Sequence, residues 1–147
     1  MSFYGEYEQT AKADGRYLLV NIVKEKGKNL MKHIYLNLKR FDVPVEFGGV
    51  NRLAPVADWA SCIVKNTQEE LKTYDPTEVE FGMYFPEVHL LNAVAAKTEG
   101  SPVQIGCQSV FRADTAVGGN FGAFTTNRPA SAMVAAGCET TIIGHCE

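Results

Sequence analysis

Four short apolar runs, separated by segments of helical periodicity, constrain the fold of this chain more than any other feature. A continuous apolar run between turn signals is typical of a strand buried on both faces. The runs are residues 33–39, 79–85, 103–110 and the segment that ends at Ile143. Strands that alternate with helices predict right-handed βαβ units and a parallel sheet, which is the α/β class.

Three helices are predicted between these strands. Apolar residues recur at helical spacing in residues 56–74, and a shorter helix is predicted for 88–97. Pro129 opens a third helix, 130–136, which Gly137 would end. Loops at the carboxyl ends of parallel strands carry the chemistry of α/β folds, so His145, directly after the fourth strand, is a candidate functional residue.

Composition and charge exclude several classes of function. A chain of 147 residues with 46% hydrophobic content can bury one core. The net charge of -3 and the absence of a basic run disfavour nucleic-acid binding. No apolar run approaches the roughly 20 residues that span a bilayer, and the first residues lack the pattern of a signal peptide. We therefore predict a cytoplasmic protein without nucleic-acid or membrane partners.

The cysteines indicate neither a metal site nor a disulfide framework. The four of them are scattered without CxxC spacing, which leaves them as reduced thiols, three of them as core residues. They are Cys62, Cys107, Cys138 and Cys146.

The closing stretch carries a family resemblance. Residues 122–147, GAFTTNRPASAMVAAGCETTIIGHCE, resemble triosephosphate isomerase, whose members typically have GAFTGE, a helix with a methionine, and a strand that ends in IGHSE. The agreement extends backwards through CQS at 107–109, YFP at 84–86 and NLK at 37–39, where the family has AQN, APP and NWK. The resemblance covers about residues 34–147 in the right order.

The resemblance implies the first four strands of a TIM (β/α)8 barrel, an incomplete α/β fold. Residues 34–147 would form the N-terminal half of the barrel, and residues 1–33 an extension of unclear role. Because an α/β chain that ends on a strand lacks the helix that covers it, we expect an N-terminal fragment that is inactive alone. The catalytic base and phosphate loops of the family would lie beyond residue 147.

The same resemblance implies an isomerase of glycolysis and gluconeogenesis. It would interconvert glyceraldehyde 3-phosphate and dihydroxyacetone phosphate through an enediol or enediolate, as a homodimer without cofactor or metal. Two alternatives stay open: a divergent isomerase of a longer sugar phosphate, and a non-catalytic half-barrel that assembles with another chain. The family serine is Cys146 here, and Thr126-Asn127 replaces Gly-Glu, which favours a divergent enzyme.

The resemblance also implies roles for individual residues. His145 matches the histidine that polarises the substrate carbonyl, and a donor aimed at the developing enediolate charge stabilises the transition state more than the ground state. Lys39 matches the lysine that holds the anionic substrate, and Asn37 a neighbouring substrate-binding residue. Glu147 and Cys146 match supporting residues of the site.

Contact with a partner subunit is implied for the glycine-rich loop before the third helix. Its contact residues would be Phe121, Phe124 and Thr125.

Overall fold

The computed structural model describes residues 31–145, together with the backbone of residues 12–13, 16–17 and 19–21. The strands are β1 (Lys12–Ala13), β2 (Arg16–Tyr17), β3 (Leu19–Asn21), β4 (Lys32–Asn37), β5 (Val79–Phe85), β6 (Val103–Cys107) and β7 (Thr140–Thr141). The helices are α1 (Val56–Glu70), α2 (Leu90–Ala96) and α3 (Ala130–Ala135), with short 3-10 turns at Val45–Phe47, Leu71–Thr73 and Glu87–His89.

The main sheet has five strands in the order β3-β4-β5-β6-β7. Strands β4 to β7 are parallel neighbours, and helices alternate with them along the chain. These four strands and their helices form a curled half-barrel, which confirms the predicted incomplete α/β barrel.

An antiparallel strand lies at the β4 edge of this sheet. β3 pairs with β4, with Leu19 opposite Tyr35 and Asn21 opposite His33. The described residues of the segment that precedes β4 are extended. The division of the chain at residue 33 stays a prediction.

The predicted elements are confirmed with shifted ends. β4 begins at Lys32 and ends at Asn37, and β6 ends at Cys107 instead of residue 110. Past β4 the apolar pattern continues for one buried residue, Leu38, before the backbone turns away from the sheet. At Lys39 it takes a positive φ of 45°. Apolar runs therefore mark where a strand is buried, while the turn that follows decides where pairing stops.

The core lies between the parallel strands and the helices. Side chains alternate across a strand, so one face of each strand is directed to the helices. The largest buried side chains there include Met83, Phe85, Leu90 and Ile105. Trp59 of α1 meets Phe85 edge-on, with ring centroids 6.0 Å apart. Burial of this apolar face fixes the helices against the sheet.

The opposite face of the sheet, which lines the barrel interior, is polar and carries two tyrosines over two glycines. Tyr35 lies beside Gly82 in the register of β4 and β5, and Tyr84 lies beside Gly106 in that of β5 and β6. A Cβ on Gly106 would lie 2.7 Å from Cδ1 of Tyr84 and 2.8 Å from the carbonyl oxygen of Thr140. Gly106 therefore permits close approach of the Tyr84 ring and of the β7 backbone.

Tyr35 is held as a protonated donor on this face. Its hydroxyl donates to Oε1 of Glu80 at 3.2 Å. Burial, reinforced by the negative charge of Glu80, raises the pKa of Tyr35 to about 12.

Gln68 ties α1 to the end of α2. Its Nε2 donates to the carbonyl of Ala96 at 3.0 Å, and its Oε1 accepts from the backbone N–H of Thr98 at 3.1 Å. One buried amide thus satisfies a carbonyl that the end of α2 leaves free.

None of the helices in the described residues is long and apolar enough to cross a membrane.

Candidate active site

The carboxyl ends of the four parallel strands meet at one edge of the half-barrel. Asn37 ends β4, Gln108 follows β6, and His145 lies four residues after β7. β4 and β7 are the outermost parallel strands, but the sheet is curled, so the segments that follow them line the same cleft.

Asn37 is the hydrogen-bonding centre of this edge. Its Oδ1 accepts from the backbone N–H of Lys39 at 2.9 Å and from Nε2 of Gln108 at 3.1 Å. Nε2 of Gln108 also donates to the carbonyl of Lys39 at 2.9 Å. These three bonds hold the Asn37 side chain and the Lys39 backbone in one arrangement.

The backbone of Lys39 lies in the left-handed region, with φ of 45°. For a residue with a Cβ this conformation costs on the order of 1–3 kcal/mol, and it persists where surrounding contacts over-determine it. The bonds from Asn37 and Gln108 are such contacts. A strained lysine held in this way, with its side chain exposed, is typical of a functional position.

The cleft beside these residues has a volume of about 690 Å³. Such a volume suits a small organic ligand. Its lining residues come from the ends of β4, β6 and β7 and from the loop after β6: Asn37, Lys39, Arg40, Gln108, Ser109, Val110, Phe111, Arg112, Arg128, Ile142, Ile143, Gly144 and His145.

All the charged side chains among these lining residues are positive. They are Lys39, Arg40, Arg112 and Arg128, and no aspartate or glutamate from residues 31–145 lines the cleft. Two of these cations have carboxylate partners outside the lining, Arg40 in Asp42 and Arg128 in Glu87. A cleft with one sign of charge attracts ligands of the opposite sign.

The structure therefore brings together three of the predicted site residues, Asn37, Lys39 and His145. His145 is exposed and follows Gly144 on the β7 side of the cleft. Cys146 and Glu147 lie outside the described residues.

The predicted subunit-contact residues lie in the loop before α3. Phe121 is 91% exposed, and Thr125 is also exposed. Phe124 is half-buried and packs edge-on against Phe111 of the cleft, with ring centroids 5.8 Å apart. The contact with a partner subunit stays a prediction.

The sequence interpretation did not assign site roles to Gln108, Arg40 or Arg128. Gln108 lies within the strand predicted for residues 103–110, so its position did not indicate a site role, although it belongs to the motif CQS at 107–109. Nothing in the local sequence indicates that Arg40 and Arg128, from distant loops, share one cleft. Within residues 31–145, no group of three or more potential metal ligands is clustered.

One known protein family matches this chain over more than half of its length. The family profile described as triosephosphate isomerase matches residues 57–147. This is more than half of the chain. The chain belongs to the triosephosphate isomerase family. A search of curated proteins finds no match.

The match therefore assigns the chain to a family of isomerases. The matched range includes Gln108, His145 and the loop before α3. Asn37 and Lys39 precede the matched range, so their place in the site depends on the cleft geometry described above.

Proposed function

We propose that the protein acts as a triosephosphate isomerase, interconverting glyceraldehyde 3-phosphate and dihydroxyacetone phosphate in glycolysis and gluconeogenesis. The observation that carries the proposal is the cleft in which Asn37, Lys39 and His145 meet among four cationic side chains. A phosphorylated sugar supplies the negative charge that such a cleft attracts.

Each of these residues has a chemical task in the proposed reaction. A base removes a proton from the carbon beside the carbonyl, and the electron pair moves onto the carbonyl oxygen as enediolate charge. The hydroxyl proton then passes between the two adjacent oxygens, and return of the first proton to the neighbouring carbon completes the isomerisation. An N–H of His145 donates to those oxygens, and the ammonium of Lys39 attracts both the phosphate and the enediolate. Contacts that strengthen as this charge develops lower the activation barrier of the reaction. None of residues 31–145 is assigned as the base.

Lys39 suits this task because its backbone is already ordered. The bonds from Asn37 and Gln108 hold the residue before substrate arrives. Pre-ordering of this kind reduces the entropy that binding would otherwise cost.

The proposal includes a homodimer located in the cytoplasm. Its contact would be formed by Phe121, Phe124 and Thr125, and the high exposure of Phe121 supports this assignment. An aromatic side chain so exposed is typical of a contact surface.

A second candidate is the isomerisation of a longer sugar phosphate. The cleft has more cationic side chains than a single phosphate requires, which favours a larger or more highly charged substrate.

Turnover assays of the full-length protein test these proposals. We expect isomerisation of glyceraldehyde 3-phosphate. Turnover of only four- or five-carbon phosphates would favour the second candidate, and no turnover of any sugar phosphate would favour a non-catalytic half-barrel.

Replacement of the histidine tests the site. His145→Gln should reduce kcat by about 10²- to 10³-fold with little change in thermal stability, because His145 is exposed. His33→Gln is the matched control, since His33 lies near the opposite end of β4. Equal activity of His145→Gln and wild type would remove His145 from the site.

A further inference from the structure

The short strand β3 covers the edge of the sheet at β4. β3 runs antiparallel to β4, with Leu19 opposite Tyr35 and Asn21 opposite His33, while the other side of β4 pairs with β5. Without β3, β4 would be an edge strand of the parallel set. Such a strand leaves N–H and C=O groups unpaired, and other chains can pair with them. β3 is therefore a cover strand for this edge.

The cover strand does not reach the candidate active site. Its register with β4 ends at Tyr35, whereas β4 continues to Asn37, where the lining of the cleft begins. A role of β3 is therefore separate from the binding of a substrate in the cleft.

β3 is a weaker partner for β4 than a long parallel strand would be. It pairs with three residues of β4, while β5 pairs with all six, Lys32 to Asn37. In a closed barrel the strand that completes the circle pairs along the edge of the first strand. That strand would meet the same N–H and C=O groups that β3 occupies. The two strands therefore exclude each other at residues 33–35.

Tethering favours β3 over a strand from a second copy of the chain. Residues 22–31 join β3 to β4, and a short connection holds a partner at an effective concentration on the order of millimolar. At micromolar protein concentration, a strand from another copy competes at a disadvantage of roughly 10³-fold. A closing strand of the same chain would be tethered as well, so this disadvantage would not apply to it.

The sequence of the segment suits a cover strand. Residues 17–23 read YLLVNIV, an apolar run that favours strand pairing and promotes association when it is unpaired. Three lysines follow in the connection, Lys24, Lys26 and Lys28. Charged residues, lysine above all, are a common means by which proteins prevent pairing between sheet edges. Both features indicate an edge that is kept from other chains.

We propose that β3 is a replaceable cover of the β4 edge, which prevents this edge from pairing with a second copy of the chain and is displaced by the parallel strand that closes the barrel. The inference goes beyond the proposed function and does not depend on which sugar phosphate the site takes. It assigns a role to part of the N-terminal extension.

Two prolines in β3 test the proposal in the 147-residue chain. Successive N–H groups of a strand point to opposite sides, so Val20→Pro with Asn21→Pro removes the donor directed at β4 in either phase. Lys12→Pro with Ala13→Pro is the matched control, because it places two prolines in β1, which pairs with β2 in a separate sheet. Phe121→Ser in all chains removes the proposed subunit contact.

Hydrogen exchange measured by mass spectrometry reports on the edge, and sedimentation velocity reports on association. We expect the amides of residues 33–35 to exchange about tenfold faster in the β3 variant than in the control. The β3 variant should also associate at about tenfold lower protein concentration. In the full-length protein the same prolines should change neither quantity, because the closing strand covers β4.

Equal exchange in the β3 variant and the control overturns the inference, and so does faster exchange without stronger association. Exposure of β4 by the prolines in the full-length protein would show that β3 is not displaced there. Fluorescence of Trp59, which is 2% exposed, shows whether the β3 variant folds. If it does not fold, wild type decides: protection of all amides in residues 33–35 supports the cover, and an amide that exchanges at the rate of an unpaired one overturns it.

Discussion

Gln108 and Asn37 are joined by a hydrogen bond of 3.1 Å between Nε2 and Oδ1, across 71 positions of the sequence. Gln108 follows β6 and Asn37 ends β4, so the bond spans β5, the strand between them. The same amide nitrogen also holds the carbonyl of Lys39. A residue that sequence reasoning left without a role therefore fixes two that it selected.

Replacement of Gln108 by leucine should reduce activity far more than stability. Loss of both hydrogen bonds leaves the left-handed backbone of Lys39 with its bond to Asn37 but without support at its carbonyl. A displacement of about 1 Å at a reacting centre costs roughly 10²-fold in rate. We expect kcat/KM to fall by about that factor in steady-state assays of the full-length enzyme. Gln104→Leu, on the same face of β6, is the control. Similar losses in both variants would show that Gln108 has only a packing role.

Gln68→Leu should reduce stability and leave activity unchanged. Gln68 lies on α1, away from the cleft, and its loss leaves the carbonyl of Ala96 and the N–H of Thr98 without their partner. We expect the free energy of unfolding to fall by about 1–3 kcal/mol in urea titrations, with kcat unchanged. Asn66→Leu, at an exposed position of the same helix, should change stability by less than about 0.5 kcal/mol. Equal stabilities of the two variants would contradict the assignment.

Two glycine substitutions should differ in cost according to what their Cβ meets. At Gly106 an added Cβ meets both the Tyr84 ring and the backbone oxygen of Thr140, whereas at Gly82 it meets only tyrosine side chains. A side chain can move aside more easily than backbone. We therefore expect Gly106→Ala to lower the free energy of unfolding by about 1–3 kcal/mol and Gly82→Ala by less. A larger loss for Gly82→Ala in thermal melts would refute the close-packing argument.

The thiol of Cys138 should resist alkylation up to high pH. Cys138 is 8% exposed, and burial, with Cys107 beside it, raises its pKa to about 11. Mass spectrometry after iodoacetamide treatment at pH 8 should show modification of the half-buried Cys62 well before Cys138.

The raised pKa of Cys138 should also lower the free energy of unfolding at alkaline pH. A thiol with a raised folded pKa ionises first in the unfolded chain, so its contribution to stability falls as pH rises from about 9 towards 11. Cys138→Ala should show a smaller loss of stability over this range. An identical pH profile for wild type and variant would refute the shift.

Much of the architecture could be predicted from local pattern. Apolar runs and helical spacing identified four parallel strands and their helices, because burial requires the same periodicity wherever an element packs on a core. The strand 79–85 has the predicted ends. The place of His145, after the last strand of the half-barrel, follows from the same rule.

Tertiary structure decided what the site contains beyond those positions. The left-handed turn at Lys39, its support by Gln108, and the burial of Asp42 with His89, 47 positions away, all depend on segments that meet only after folding. A periodic pattern indicates which face of an element is buried. It does not indicate which polar group from a distant loop will satisfy a buried partner, because hydrogen bonds are set by distances and angles that only packing defines.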